Sequence, residues 1–377
     1  MNAQHGSDKH VEVRPAPSHG LKAMQRYVTI DQQATRGEYL FALPARLGLE
    51  QLLHDPRDAP ALHLICNVLL LTVPSALACL ILCRSHWIGL LYLVSNYVVF
   101  LQRFMLTLHV TQHRRLFKAE YQSLNHLTPY LLSPLFGVPP GLYRPHHVIM
   151  HHVEDNVGGL DQSSTEPYQR DNLIHFLWYW VTYWVGAWFS LPAYAAAKRR
   201  DLLGPTLKSE TAAWLVVTLA TWFNPVGALW VLIVPFMLSS FLLMFGNWSQ
   251  HAFVDPYQPH DTYKSTYNCI GCPDNRLTYN DGYHILHHLN SRLHWSQMPE
   301  QFLATLPEHD VHDALVFHSI GFFDVGVAVF TGRLSFLARH VIPCGPLQAQ
   351  RTQEQWVELL RLRLSPVHRP RFEKKAL

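Results

Sequence analysis

Long apolar stretches alternate with polar segments along this chain. Residues 61–83 form an apolar stretch long enough to cross about 30 Å of hydrocarbon as a helix, and residues 88–108 form a second. Only the short sequence Arg84-Ser-His-Trp87 separates them. The pattern therefore predicts a hairpin of two membrane-spanning helices.

Two more strongly apolar stretches follow. Residues 173–197 are crowded with Trp and Tyr, which are typical of the lipid headgroup level, and residues 211–245 are interrupted at Asn224-Pro225. A weaker stretch, 124–142, contains four prolines and is expected to lie at the interface or to re-enter the membrane. We therefore expect an all-α polytopic membrane protein with about four transmembrane helices, and up to six.

The count of spans contains a conflict. Four spans return the chain to the cytoplasm before His251, but they leave Lys198-Arg199-Arg200 outside, against the tendency of basic loops to stay in the cytoplasm. The alternative lays 173–197 along the interface and splits 211–245 at Pro225 into two passes. We prefer the first arrangement; both put every histidine cluster on one side.

Composition agrees with a membrane domain flanked by polar ends. Charged residues make up 15% of the chain, below the ~25% usual in soluble domains, and a net charge of +3 gives no support for nucleic-acid binding. We expect a cytoplasmic N-terminal segment over 1–60 without a cleaved signal peptide, a membrane domain over 61–330, and a basic cytoplasmic tail over 331–377.

Nine histidines in four clusters are the candidate functional residues. The clusters lie beside the long apolar stretches. The histidines are His109, His113, His147, His151, His152, His251, His284, His287 and His288. Residues four or three apart share one face of an α-helix, so the pairs 109/113, 147/151 and 284/287 are each expected to point into one site. His146 competes with His147, which we prefer for its spacing to His151.

Nine imidazoles are too many for one metal ion and suit two. Structural zinc usually takes four ligands with Cys among them, and no H-E-x-x-H sequence typical of zinc proteases occurs. Iron fits a redox site of this kind best, with copper and zinc as alternatives. Cys269-Ile-Gly-Cys272 has no second pair and is expected to be an ordinary loop near the site.

Ligating histidines usually donate their second N–H to a carboxylate or carbonyl group. Acidic and amide side chains near the clusters are therefore candidates for orienting the imidazoles. These are Asn247, Glu154, Asp155, Asp161 and Asp281, of which Asn247 could also reach a metal ion.

The motifs together resemble those of the membrane fatty acid desaturase and alkane hydroxylase superfamily. His109-Val-Thr-Gln-His113 is similar to its first box, Asn247-Trp-Ser-Gln-His251 to its N-x-x-x-H element, and the sequence around His284-Ile-Leu-His287-His288 to its third box. The resemblance covers about residues 60–310. It implies a mushroom-like helical fold of four spans, a cytoplasmic cap holding two iron ions on these nine histidines, and a buried acyl tunnel.

The second box departs from the common pattern. His147-x-x-x-His151-His152 has one residue more than the H-x-x-H-H of most desaturases and looks like the related hydroxylases. Fatty acid desaturation is the preferred activity. Hydroxylation of an alkyl chain, oxidative decarboxylation of a free fatty acid to a terminal alkene, and metal transport are the alternatives.

An enzyme of this kind needs external electrons and a means of holding its substrate. No Gly-rich flavin or nicotinamide fingerprint occurs, so we expect a ferredoxin, rubredoxin or small cytochrome as donor, with dioxygen as co-substrate. Candidates for holding an acidic head group are Arg144, Lys264, Arg276 and Arg292. The active site is expected to face the cytoplasm, from a bacterial inner membrane or the endoplasmic reticulum.

Overall fold

The computed structural model describes residues 18–33, 40–41 and 44–368. Parts of the predicted segments 1–60 and 331–377 lie outside these described residues, and the domain limits stay a prediction. The described chain is mostly helical and has almost no strand, which confirms the all-α prediction. Its two short strands, β1 (Asn268–Ile270) and β2 (Val316–His318), pair in parallel with Cys269 opposite Phe317.

Three helices are long and apolar enough to cross a membrane. We call Pro56–Leu82, His86–His113 and Pro225–Gln250 the first, second and third membrane helices. The first two form the predicted hairpin. Large apolar side chains on the outer faces are exposed, among them Trp87 at 80% and Val98 at 81%. Such a surface suits lipid rather than water.

The third membrane helix follows a sharp break at Asn224. The side chain of Asn224 donates hydrogen bonds to the carbonyls of Leu80 and Cys83, at 2.9 Å each, where the first membrane helix ends. Its Oδ1 accepts from the backbone N–H of Gly227 at 3.2 Å. One buried amide therefore caps two helix ends.

The single span expected over 211–245 is wrong, because Asn224 divides it. The preceding helix is Arg200–Phe223, and it packs beside the helix Leu173–Lys198, here called the tryptophan-rich helix. Neither is among the three membrane helices. The break at Asn224 matches the alternative arrangement of the spans.

Both ends of the tryptophan-rich helix lie on the histidine-bearing side of the molecule. At its start, the carbonyl of Arg170 accepts a hydrogen bond from Trp248, near the end of the third membrane helix. At its end, Lys198 forms an ion pair of 2.8 Å with Glu154, two residues after His152. The basic residues 198–200 therefore lie on the histidine side, as the alternative arrangement requires.

The remaining helical segments build the cap and its connections. The stretch 124–142 consists of short 3-10 and π turns, and its place at the interface stays a prediction. The segments are Ser18–Gln33, Ala45–Leu47, Leu49–Leu52, Ala119–His126, Leu127–Leu132, Ser133–Phe136, Pro145–His151, His152–Glu154, Thr262–Ser265, Pro273–Arg276, His284–Leu289, Trp295–Gln297, Met298–Ala304, Leu306–Val311, Phe322–Phe330, Leu334–Arg339, Gln348–Gln350 and Gln353–Arg363.

Arg170 joins three separate segments of the cap. Its guanidinium is fully buried and donates to backbone carbonyls in residues 165–168, at Ala252 and Val254, and at Arg363 and Ser365. Arg363 is the last residue of the helix Gln353–Arg363, whose Trp356 and Leu360 are buried in the core. This part of the predicted tail therefore packs into the fold.

The helix Ser18–Gln33, here called the N-terminal helix, fastens the loop that precedes His284. Its buried face carries Met24, Val28 and Asp31. The carboxylate of Asp31 accepts hydrogen bonds of 2.7 Å from the backbone N–H of Gly271 and from the hydroxyl of Tyr283. Burial raises the pKa of Asp31 to about 6, although these hydrogen bonds oppose the shift.

Replacing Arg170 should destabilise the fold strongly. Arg170→Ala leaves several buried carbonyls without donors, and we expect it to lower the free energy of unfolding by roughly 3–5 kcal/mol. Arg170→Lys should rescue only part of the loss, since an ammonium group cannot reproduce the planar fork. Thermal unfolding in detergent measures this, with the exposed Arg200→Ala as control. Equal melting temperatures for Arg170→Ala and the control would refute the role of Arg170.

Asp31 should make stability depend on pH between about 4 and 6. Because its pKa is higher in the folded than in the unfolded chain, the folded state binds the proton more tightly. The resulting stabilisation is complete below pH ~4 and is lost as pH rises through about 6, by up to about 3 kcal/mol. In Asp31→Asn this loss should vanish, so the variant should gain stability relative to the wild type from pH 4 to 7. An unchanged pH profile in the variant would contradict this.

Candidate metal centre

The nine predicted histidines converge at the end of the membrane helices and form two adjacent groups. Ring nitrogens of His109, His113, His147 and His287 all lie within 4.8 Å of one another, and those of His151, His251 and His288 do the same. His109 and His113 come from the last turns of the second membrane helix, with ring centroids 5.0 Å apart. Their predicted common face is thus confirmed.

The last two histidines extend these groups to five and four members. Nε2 of His152 lies 3.2 Å from Nε2 of His147 and 3.0 Å from Nε2 of His287, so His152 joins the first group. The ring of His284 lies 4.8 Å from that of His288 and 5.6 Å from that of His251, so His284 joins the second.

A π-helix decides how the second cluster divides. Residues Pro145–His151 form π-turns, and the backbone N–H of His152 bonds to the carbonyl of His147, five residues earlier. In this geometry His152, and not His151, lies above His147. His151 turns toward the second group, with its ring 5.3 Å from that of His251. The expectation that His147 and His151 serve one site is therefore wrong.

The third box also divides between the groups. On the helix His284–Leu289, His284 and His288 are four residues apart and share the face toward the second group. His287 points to the first group, where its ring lies 4.5 Å from that of His109. The predicted pairing of His284 with His287 in one site is wrong for the same reason: ring direction follows the local helix geometry.

The separations of the ring nitrogens fit metal ions. Two nitrogens that are each about 2.1 Å from one ion lie roughly 3.0–3.4 Å apart, which matches the distances from His152. Other ring nitrogens are buried without a hydrogen-bond partner in the described chain. They are Nε2 of His113, His251 and His288, and both nitrogens of His284. Buried polar atoms of this kind are costly unless a ligand satisfies them.

Several of the imidazoles are oriented through their other nitrogen. Nδ1 of His151 lies 2.7 Å from the carboxylate of Asp161, and Nδ1 of His288 lies 3.3 Å from Asp155. Asp281 is 3.8 Å from His284 and accepts a hydrogen bond of 2.9 Å from Gln250. Three of the five predicted orienting residues thus lie beside a histidine.

The other two predicted residues lie elsewhere. Glu154 accepts hydrogen bonds of 2.8 Å from Tyr194 and Lys198. Asn247 donates to the carbonyl of Ser163 at 2.9 Å and to the hydroxyl of Tyr179 at 2.8 Å. Neither side chain has a hydrogen bond to a histidine ring of the two groups.

Sequence reasoning missed three partners of the histidines. One is the hydroxyl of Ser163, which lies 3.3 Å from Nδ1 of His151. The hydroxyl of Tyr143 lies 3.3 Å from Nδ1 of His109, and the backbone carbonyl of Ser265 lies 3.0 Å from Nδ1 of His251. Tyr143 lies four residues before His147, a spacing that could have suggested it. A backbone carbonyl carries no signal in the sequence. His146 belongs to neither group, and its ring faces Tyr183.

Burial keeps most of these imidazoles neutral. It lowers the pKa of His147, His284 and His287 well below the usual histidine value, and neighbouring imidazoles lower it further. His151 differs, because the carboxylate of Asp161 outweighs the effect of burial and raises its pKa. Neutral imidazole is the form that binds metal ions, so the electrostatics suit cations.

A cavity of about 590 Å³ adjoins both groups. His109, His146, His147 and His151 lie on its wall. Its apolar lining comes mainly from the membrane helices and the tryptophan-rich helix, and includes Met105, Leu106, Trp184, Trp188, Leu191, Phe236 and Leu243. Gly137, with φ +74°, lets its backbone approach Pro235 so closely that any Cβ would clash. The dimensions and lining suit a hydrocarbon chain.

The polar residues of the cavity differ from those predicted. None of Arg144, Lys264, Arg276 and Arg292 lines it; Arg144, for example, donates to the carbonyl of Gln112. Cys269 and Cys272 do line it, as free thiols. Cys269 lies in β1 and Cys272 in the turn after it, so the expected loop near the site is in part a strand.

Comparison with known proteins identifies the family. A family model described as fatty acid desaturase matches residues 85–317, well over half of the chain. Searches of curated proteins and of solved structures found no match. The match includes all nine histidines and confirms the resemblance drawn from their motifs. The chain therefore belongs to the fatty acid desaturase family and is a membrane oxidoreductase of that family.

Proposed function

We propose that this protein is a non-haem di-iron enzyme that uses dioxygen to desaturate a fatty acyl chain. The observation that carries the proposal is the convergence of nine imidazoles, without thiolates or carboxylates among them, into two adjacent groups beside an apolar cavity. The first ion would be held by His109, His113, His147, His152 and His287. The second would be held by His151, His251, His284 and His288.

The side chains of the site have distinct roles in this proposal. When bound, two iron ions would supply the dioxygen chemistry that removes hydrogen from an unactivated C–H bond. His109 and His151 belong to different groups and both line the cavity, so a chain in the cavity lies beside both groups. Asp161 and Asp155 fix the orientation of His151 and His288 and increase their basicity.

Hydroxylation of an alkyl chain is the second candidate, because of the spacing between His147 and His151. The π-turn weakens that argument. One extra residue in a helix is commonly absorbed as a π-bulge, so the longer spacing is compatible with either reaction. Metal transport is disfavoured, since a permeation path calls for polar residues within the spans, whereas both groups lie at the helix ends.

We infer that the histidine side faces the cytoplasm, in a bacterial inner membrane or the endoplasmic reticulum. The basic residues 198–200 on that side support this orientation. The first, second and third membrane helices together with Arg200–Phe223 would make four crossings. Electrons would come from an external ferredoxin, rubredoxin or small cytochrome.

Single histidine replacements should remove one ion at a time. We expect two irons per purified chain, and about one in His287→Ala and in His151→Ala, since these residues belong to different groups. Elemental analysis of metal and protein measures the ratio.

His146→Ala is the matched control for His147→Ala. The two residues are neighbours on the cavity wall, but only His147 belongs to a group. Iron content should fall in His147→Ala and stay at two in His146→Ala. Equal metal content in all four variants, or zinc in place of iron, would rule out the assigned ligands.

Product analysis distinguishes the candidate reactions. Iron-loaded protein with a reduced ferredoxin system should convert long alkyl chains to products lacking two hydrogens, identified by mass spectrometry. Alcohol products would favour hydroxylation, and loss of carbon dioxide would indicate decarboxylation. A nicotinamide donor alone should give no turnover; turnover without a protein donor would contradict the proposed partner.

A further inference from the structure

The two histidine groups differ in the partners of their rings. In the second group, Nδ1 of His151 lies 2.7 Å from the carboxylate of Asp161, and Nδ1 of His288 lies 3.3 Å from that of Asp155. A third ring, His251, has its Nδ1 3.0 Å from a backbone carbonyl. Each of these acceptors favours a proton on Nδ1, which leaves Nε2 with a lone pair for a metal ion.

The first group has no carboxylate partner. Within the described chain, the ion pairs of histidine rings with Asp do not include any of its five rings. The hydroxyl of Tyr143 lies 3.3 Å from Nδ1 of His109. The charged side chain beside this group is a cation, since Arg144 donates a hydrogen bond to the carbonyl of Gln112, the residue before His113.

These partners give the two groups different charge balances. Asp161 is fully buried, and the backbone N–H and the hydroxyl of Ser163 donate to it at 2.8 and 2.7 Å. Hydrogen bonds of this kind favour the ionised carboxylate. Together with Asp155, it gives the second group two negative charges to balance one divalent cation. The five neutral imidazoles of the first group, beside Arg144, provide no negative charge.

The number of rings acts in the opposite direction from the charge balance. The first group has five rings and could supply one more nitrogen than the second. However, an unbalanced charge is costly in a site away from water, and carboxylate partners of ligating histidines typically change metal affinity by about 10–100-fold. Three rings of the first group are only half-buried, whereas His151, His251 and His284 are almost fully buried. An ion in the second group is therefore bound more strongly and enclosed more completely.

We propose that the two groups bind iron with unequal strength, so that the second group retains its ion while the first group exchanges its ion with the surroundings. Oxidation needs both ions, and the supply of iron therefore controls the active fraction of the protein through the first group alone. This inference rests on the proposed function, which assigns one iron ion to each group.

The test removes iron stepwise from the intact protein. Iron-loaded protein in detergent would be equilibrated anaerobically with a graded series of EDTA concentrations, and the iron that stays bound would be counted per chain. We expect two steps of one ion each, separated by at least about tenfold in chelator concentration. Turnover should disappear with the first ion lost. His113→Ala should retain only the tightly held ion, and His251→Ala only the weakly held one.

Charge variants test the physical cause of the difference. Asp161→Asn keeps an acceptor for His151 but removes the negative charge, so the tight step should shift toward the weak one by about 10–100-fold. Arg144→Gln removes the cation beside the first group and should strengthen the weak step alone. Asp171→Asn removes an exposed carboxylate and should leave both steps unchanged. Melting curves recorded in excess iron show whether each variant is folded.

The outcomes separate this inference from the proposed function. Loss of both ions in a single step, loss of the tightly held ion in His113→Ala, or an unshifted tight step in folded Asp161→Asn would overturn the inference, although two bound irons would still support the proposed function. Turnover that persists with one ion would overturn the control by iron supply. A chain that binds no iron would contradict the proposed function and the inference together.

Discussion

The burial of nine imidazoles against one another is the constraint on which the rest of the structure depends. Five of their ring nitrogens are buried without a partner in the described chain, and burial keeps most of the rings neutral. In a protein without cations these lone pairs would face each other with nothing to satisfy them. Metal binding would offset this cost and raise the free energy of unfolding, because the ions bind the folded state more tightly than the unfolded chain.

The fold brings these rings together from segments that are far apart in sequence. The second membrane helix carries His109 and His113, and His251 directly follows the last residue of the third, whereas His284 lies in the cap. Thr165 donates to the carbonyl of His251 at 2.8 Å. Nearby, Arg170 donates to the carbonyl of Arg363, the last residue of the helix Gln353–Arg363. The N-terminal helix holds the residue before His284 through Asp31. Elements remote from the cavity thus fix the geometry of the second group.

The sequence contained the identity of the candidate ligands but not their division between two ions. Spacing rules assume an α-helix, and a π-helix at Pro145–His151 shifts the register by one residue, which moves His151 away from His147. Asp161 could be predicted because ligating histidines usually donate their second N–H to a nearby carboxylate. The carbonyl of Ser265 could not, since a backbone carbonyl has no signal in the sequence. The orientation of the tryptophan-rich helix could not be predicted either. Its hydropathy does not show that both of its ends lie on the histidine-bearing side of the molecule.

The nature of the first coordination shell tests the account most directly. X-ray absorption at the iron edge of the purified, iron-loaded protein reports the atoms bound to the metal and their distances. We predict a shell of nitrogen at about 2.1 Å with the outer scattering pattern of imidazole rings. A sulfur shell at about 2.3 Å, which would implicate Cys269 or Cys272, or a shell without imidazole scattering, would contradict it.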